Sequence, residues 1–97
     1  MNYKTAFPKR LTEVRKERQK TQDEMAVLMD ISRPSYTQYE TGVSFPKFEN
    51  LMKIAEILDV SIDYLVGLTN KKNWNVGVGK NERNTYNSYK WNIQQII

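Results

Sequence analysis

Residues 21–42 read TQDEMAVLMDISRPSYTQYETG. Thr21 with Glu24 three residues on is a capping box, in which each side chain satisfies a backbone N–H of the other at a helix start. Met25, Leu28 and Met29 follow at helical spacing, with small Ala26 beside them. Asp30 is expected to end this helix, because Asp tolerates the left-handed backbone conformation better than most residues. Ser32 caps a second helix. Pro34 falls in its first turn, where the ring costs little. This helix runs to about Glu40, and Gly42 supplies its stop. Only Asp30, Ile31 and Ser32 separate the two helices, so they must cross steeply.

The residues of this pair divide by chemistry. Met25, Ala26, Met29, Ile31 and Tyr36 fit a packed side. Arg33, Pro34, Ser35, Thr37 and Gln38 cluster in the first two turns of the second helix and are short or end in hydrogen-bonding groups. A DNA major groove about 12 Å wide accepts one helix, and Arg suits guanine, Gln suits adenine, and Ser or Thr suits either partner. A reading helix presents its N-terminal residues to the base edges.

Working outward, a helix is expected from near Pro8, with Phe7, Leu11 and Val14 as its apolar stripe. A further helix spans about Phe48 to Leu58, with Leu51, Ile54, Ala55 and Leu58 inward. A short fifth helix is capped by Ser61, has Asp63 in its first turn and is followed by Gly67. Strand signals are absent before residue 70, so the fold class is all-α.

The chain has 97 residues with a net charge of +4, and neither Cys nor His. No Cys removes disulfides, thiolate zinc sites and a cysteine nucleophile. No His removes the usual general base near neutral pH. No paired carboxylates, metal constellation or glycine-rich phosphate loop is evident, so an enzyme is not expected and no cofactor is assigned. No apolar run is long enough for a membrane, and the beginning of the chain lacks a signal-peptide core. A cytoplasmic, nucleoid-associated protein, bacterial or phage-encoded, is the expectation. Residues 1–20 carry seven basic and two acidic side chains, and residues 70–97 five and one, while the stretch between is acidic. Each basic patch alone could be an ordinary solvated surface.

The stretch 21–42 resembles the helix-turn-helix of the Xre/Cro-type, lambda-repressor-like family. The likeness continues through PKFENLMKIAEILDVSIDYLVG, and Thr21-Gln22, Glu24, Ala26, Ser32-Arg33, Tyr39-Glu40, Gly42 and Pro46 fall in register. The resemblance implies a five-helix domain over residues 8–68, with its motif at 22–41, that binds operator DNA as a homodimer. It implies base contacts from Arg33, Pro34, Ser35, Thr37 and Gln38. Gln22, Thr41, Gly42, Val43 and Lys47 would touch phosphates, Gln22 also propping a reading side chain. Arg15 and Glu40 match a pair that forms an ion bridge between the first helix and the end of the third. Pro34 departs from the family's usual polar residue, Tyr36 from an aliphatic one, and Lys47 from a Ser or Thr cap. Lys9, Arg10, Lys16 and Lys20 would add a basic footprint if they face the DNA.

Residues 69–97 form a basic, Asn-rich and aromatic extension of undecided structure. Trp74, Val76 and Val78 alternate as in a strand; Tyr86, Tyr89, Ile93 and Ile97 fit a helix, and Tyr89, Trp91 and Ile93 fit a strand equally well. Self-association, a docked or disordered tail, and a nucleic-acid arm are its three readings. The expected function is a sequence-specific transcriptional regulator, a repressor of phage, mobile-element or antitoxin type, which blocks polymerase from a palindromic operator. Its signal would come through a partner such as an antirepressor or a toxin. The competing reading is a protein-interaction module on the same scaffold, acting through the aromatic tail.

Overall fold

The computed structural model describes residues 2–72, which form five α-helices. The expected features of residues 73–97 lie outside the described residues. The helices are α1 (Tyr3–Glu17), α2 (Gln22–Met29), α3 (Arg33–Thr41), α4 (Phe48–Leu58) and α5 (Ile62–Val66). The capping box at Thr21 is formed in both directions, and Ser32 and Ser61 cap α3 and α5 through their hydroxyls. Lys47 stands at the N-cap of α4 without a side-chain hydrogen bond, as its departure from Ser or Thr implies.

The first helix starts earlier than expected. The Asn2 side chain accepts from the Lys4 N–H at 2.8 Å, so it caps a helix that starts at Tyr3, five residues before Pro8. Pro8 therefore lies within α1, where it has no N–H to give to the preceding turn. Tertiary packing compensates. Tyr3 and Phe7 close on the Phe45 ring at 5.1 and 4.9 Å between centroids. A side chain at Gly42 would meet the Pro8 ring at 3.4 Å, so that turn approaches α1 closely.

Four helices end in the same way, with a left-handed residue whose N–H bonds three residues back while the next N–H bonds five back. Those residues are Gln19, Asp30, Asp59 and Gly67. This is the Schellman closure, which satisfies the last carbonyls of a helix. Asp30, at φ 58°, takes the conformation expected of it.

One core joins all five helices. Phe7, Leu11 and Val14 of α1 meet Met25, Ala26 and Met29 of α2, Tyr36 and Tyr39 of α3, Leu51, Ile54, Ala55 and Leu58 of α4, and Tyr64 and Leu65 of α5. Leu28, expected in the packed stripe of α2, is instead exposed. Helix α2 is covered by α3 and α4 on the Met25–Ala26–Met29 side, and Leu28 falls with Val27 on the other.

The chain from Thr69 to Lys72, the beginning of the basic extension, packs on this body. Ser61 N–H donates to the Lys72 carbonyl at 2.8 Å, and the Lys72 ammonium pairs with Glu17 at 2.8 Å. Arg10 donates to the carbonyls of Tyr64 and Thr69, both at 2.6 Å, and to Asn70 Oδ1 at 2.8 Å, while its guanidinium lies over the Tyr64 ring. Arg10 is therefore committed to joining α1 to the end of α5, and is not a free member of the basic footprint.

Asp30 pairs a side chain in the left-handed region with a negative charge at a helix C-terminus, and both are mildly unfavourable. Asp30→Gly should raise stability by about 0.5–1 kcal/mol, measured as a higher midpoint in urea with an unchanged slope. A lower midpoint would show that the Asp30 side chain has a stabilising role of its own.

Candidate nucleic-acid interface

The first turns of α3 carry most of the side chains singled out as base readers. Arg33, Pro34, Ser35 and Gln38 are exposed there. Ser32 places its hydroxyl on the Ser35 N–H at 3.2 Å and on the Ser35 hydroxyl at 2.9 Å, which orients the start of the row. The Arg33 guanidinium lies 3.4 Å from Asp23 of α2. Both groups are solvent-exposed, and such a pair holds a side chain only weakly. Arg33 is thus steered without being locked.

Thr37 is placed differently. It is half-buried, and its hydroxyl donates to Gln22 Oε1 at 3.1 Å. Gln22 Nε2 in turn donates to Glu40 Oε1 at 3.0 Å. Gln22 therefore braces α3 from the start of α2, with its amide used on both sides.

Glu40 is the centre to which these bonds lead. Arg15 grips it with two nitrogens, Nε to Oε2 at 2.6 Å and Nη2 to Oε1 at 3.1 Å. Thr12 donates to Oε1 at 3.1 Å, and Tyr36 donates to Oε2 at 2.5 Å. The Arg15 and Glu40 side chains are only 11% and 5% exposed. The third Arg15 nitrogen donates to the Lys20 carbonyl at 2.8 Å, which fixes the turn from α1 into α2. Arg15 and Glu40 thus form an ion bridge between α1 and the end of α3. Thr12 and Tyr36 were not expected in it. Thr12 lies three residues before Arg15, so it shares that face of α1. The Tyr36 ring is fully buried, as expected of a core residue, and its hydroxyl reaches Glu40 from one helical turn away.

The titration of the cluster follows from its geometry. Burial pushes the Glu40 carboxyl up, but hydrogen bonds from Arg15, Tyr36 and Gln22 outweigh it and hold the group below the ordinary carboxylate value. The bond to Glu40 raises Arg15. Burial, and then the bond to Glu40, push the Tyr36 phenol far above its ordinary value.

The remaining candidates line the end of α3 and the loop beyond it. Thr41, Gly42, Val43 and Lys47 are exposed. Gly42 adopts φ 83°, and the Ser44 N–H returns to the Gln38 carbonyl at 3.2 Å, which closes the turn. Among the described residues, no group of His, Cys, Asp and Glu side chains could hold a metal ion.

The sequence profile of a helix-turn-helix domain family matches residues 9–71. The chain belongs to this helix-turn-helix family. It is similar to the HTH-type transcriptional regulator YqaE of Bacillus subtilis, 45% identical over 67 residues that cover 68% of this chain and 58% of that protein. It is also similar to the cryptic phage CTXphi transcriptional repressor RstR of Vibrio cholerae, 50% identical over 58 residues, 60% of this chain and 52% of that protein. The HTH-type transcriptional regulator AnsR of Bacillus subtilis is 35% identical over 63 residues, 65% of this chain and 54% of that protein. The chain spans about half the length of the curated relatives it matches. No solved structure matches it. Among the described residues, no helix is long and apolar enough to cross a membrane.

Because Glu40 titrates below its unfolded value, it contributes stability above about pH 4.3 that is lost as the pH falls through the lower folded value. Glu40→Gln should be less stable than wild type at neutral pH, and the gap should narrow as acid is added. A constant gap in urea midpoints across that range would show that the carboxylate charge is not what stabilises. Arg15→Met should cost about 3 kcal/mol, because it leaves a buried carboxylate without its charge partner.

Proposed function

We propose that the chain is a sequence-specific DNA-binding regulator of transcription, and that it represses by occupying a palindromic operator as a homodimer. The observation that carries this reading is the contrast across α3. Its outer row of Arg33, Pro34, Ser35 and Gln38 is exposed, while the side behind is held by Gln22, Glu40 and the core. A reading helix needs that contrast, because base edges discriminate only against side chains whose backbone is fixed. Arg33 and Gln38 suit the hydrogen-bonding edges of guanine and adenine. Pro34 offers an apolar surface suited to a thymine methyl. Thr37 reads or supports from the inner edge, with its hydroxyl held by Gln22. Gln22, Thr41, the backbone at Gly42 and Val43, and Lys47 set the register on phosphates without reading sequence. The likeness to a phage repressor favours repression of phage or mobile-element type.

Selection of bound sequences from random DNA tests the reading. The expected product is an inverted repeat whose half-sites lie about one helical turn apart, near 34 Å. Failure to enrich any sequence would favour the protein-interaction module. Arg33→Ala should cost about 1–3 kcal/mol on the selected operator and relax the preference at one base position. An equal loss on operator and random DNA would reassign Arg33 to phosphate. Lys47→Ala should weaken binding to all sequences and lower the salt slope by about one. An unchanged slope would remove Lys47 from the phosphate set.

A further inference from the structure

Helix α2 has a second side that neither the core nor α3 uses. Val27 is 77% exposed and Leu28 53% exposed, next to each other in the middle of a well-packed body. With Lys20, Asp23 and Glu24 they line an open groove of about 440 Å³. Among the described residues, nothing covers this apolar pair.

Three observations identify the cover. The first is where the chain leaves the described body. Lys72 pairs with Glu17, the last residue of α1, and Lys20 of the groove follows three residues later. The described chain thus ends at Lys72, beside the C-terminal end of α1, and Lys20 of the groove lies in the turn that follows that helix. Even as a continuous helix, the 25 residues of this segment would extend about 37 Å, ample to reach along an eight-residue helix. The second is charge. The groove lining carries Asp23 and Glu24 against Lys20, with Arg33 3.4 Å from Asp23, whereas residues 73–97 carry Lys80, Arg83 and Lys90 against Glu82. The third is composition. That segment holds both tryptophans of the protein, Trp74 and Trp91, together with Tyr86, Tyr89 and three isoleucines. This apolar content is high for a purely solvated tail.

We propose that residues 73–97 of the same chain dock on the Val27–Leu28 face of α2, apolar side chains into the groove and basic ones beside its acidic flank. The contact would make α2 a helix covered on both sides, and would give the aromatic extension a fixed seat beside the helix-turn-helix.

The protein provides its own probe, because every tryptophan lies in the segment. In the full chain, tryptophan emission should be blue-shifted relative to a free indole in water. Val27→Ser combined with Leu28→Ser should move it to the red while the helical far-ultraviolet signal stays the same, since both side chains are exposed in the body. Phe48→Ser, another exposed apolar site, should leave it unmoved. Emission at the water-exposed value in wild type, or emission insensitive to the double substitution, would overturn the proposal. A blue shift lost on dilution, together with a dimer in sedimentation, would also overturn it, because the seat would then be filled by the segment of a second copy. The chain has no cysteine, so a single thiol can confirm proximity. A tryptophan-quenching label on Leu28→Cys should quench emission strongly, and the same label on Lys4→Cys, at the opposite end of α1, should not. Equal quenching from the two sites would count against docking.

Discussion

A single buried carboxylate holds the orientation of the helix-turn-helix. Glu40 sits at the end of α3 and accepts from Thr12 and Arg15 of α1, Gln22 of α2 and Tyr36 of α3 itself. A carboxylate can be taken out of water only if its lone pairs are met, preferably by a charge. Here both oxygens are met several times, and among the described residues no buried side-chain nitrogen or oxygen lacks a partner. The desolvation cost therefore becomes a geometric constraint. Any rotation of α3 against α1 or α2 would strip donors from an ion that cannot reach water. Apolar packing alone tolerates small sliding, whereas a network with fixed angles does not.

This constraint explains the division of labour within α3. Tyr36 and Tyr39 face inward, Glu40 anchors the far end, and the near end is left to present Arg33, Pro34, Ser35 and Gln38. Thr37 marks the boundary between these roles. Its hydroxyl is bound to Gln22, which is itself bound to Glu40. The chain Thr37–Gln22–Glu40–Arg15–Lys20 carries the position of the reading surface back to the turn between α1 and α2. The acidic centre thus stabilises the unit from inside, and its net charge says little about the outward face.

How much of this was legible in the sequence depended on the range of each interaction. Caps are local, so Thr21, Ser32, Ser61 and the left-handed Asp30 could be read from a few residues. The start of α1 was misplaced because Pro8 is a strong local signal, while what carries the helix past it is Asn2 together with the distant Phe45 and Gly42. Leu28 has the right spacing for a core residue, but spacing cannot say which side of α2 is covered by α3 and α4. Arg15 and Glu40 were found through a family pattern. Thr12 and Tyr36 could have been added from their helical offsets to those two. Arg10 gave no signal at all, because its partners are backbone carbonyls 54 and 59 residues away.

The basic excess at the beginning of the chain changes meaning once these contacts are counted. Of the seven cations in residues 1–20, Arg10 binds the end of α5, Arg15 binds Glu40, and Arg18 donates to the Leu58 carbonyl at 2.7 Å, at the end of α4. All three are arginines, whose planar fork can satisfy carbonyls or a carboxylate in several directions at once. The four lysines are the cations left for a solvated surface. Arg10 and Arg15 of α1 and Arg18 at its C-cap thus act as crossbars that tie the C-terminal ends of α5, α3 and α4 to the first helix. That is where cations are also favoured by the helix dipoles. A high pI in this chain is therefore partly a record of how a small, cysteine-free bundle is held together. Affinity for phosphates would have to come from a smaller number of placed groups than composition suggests.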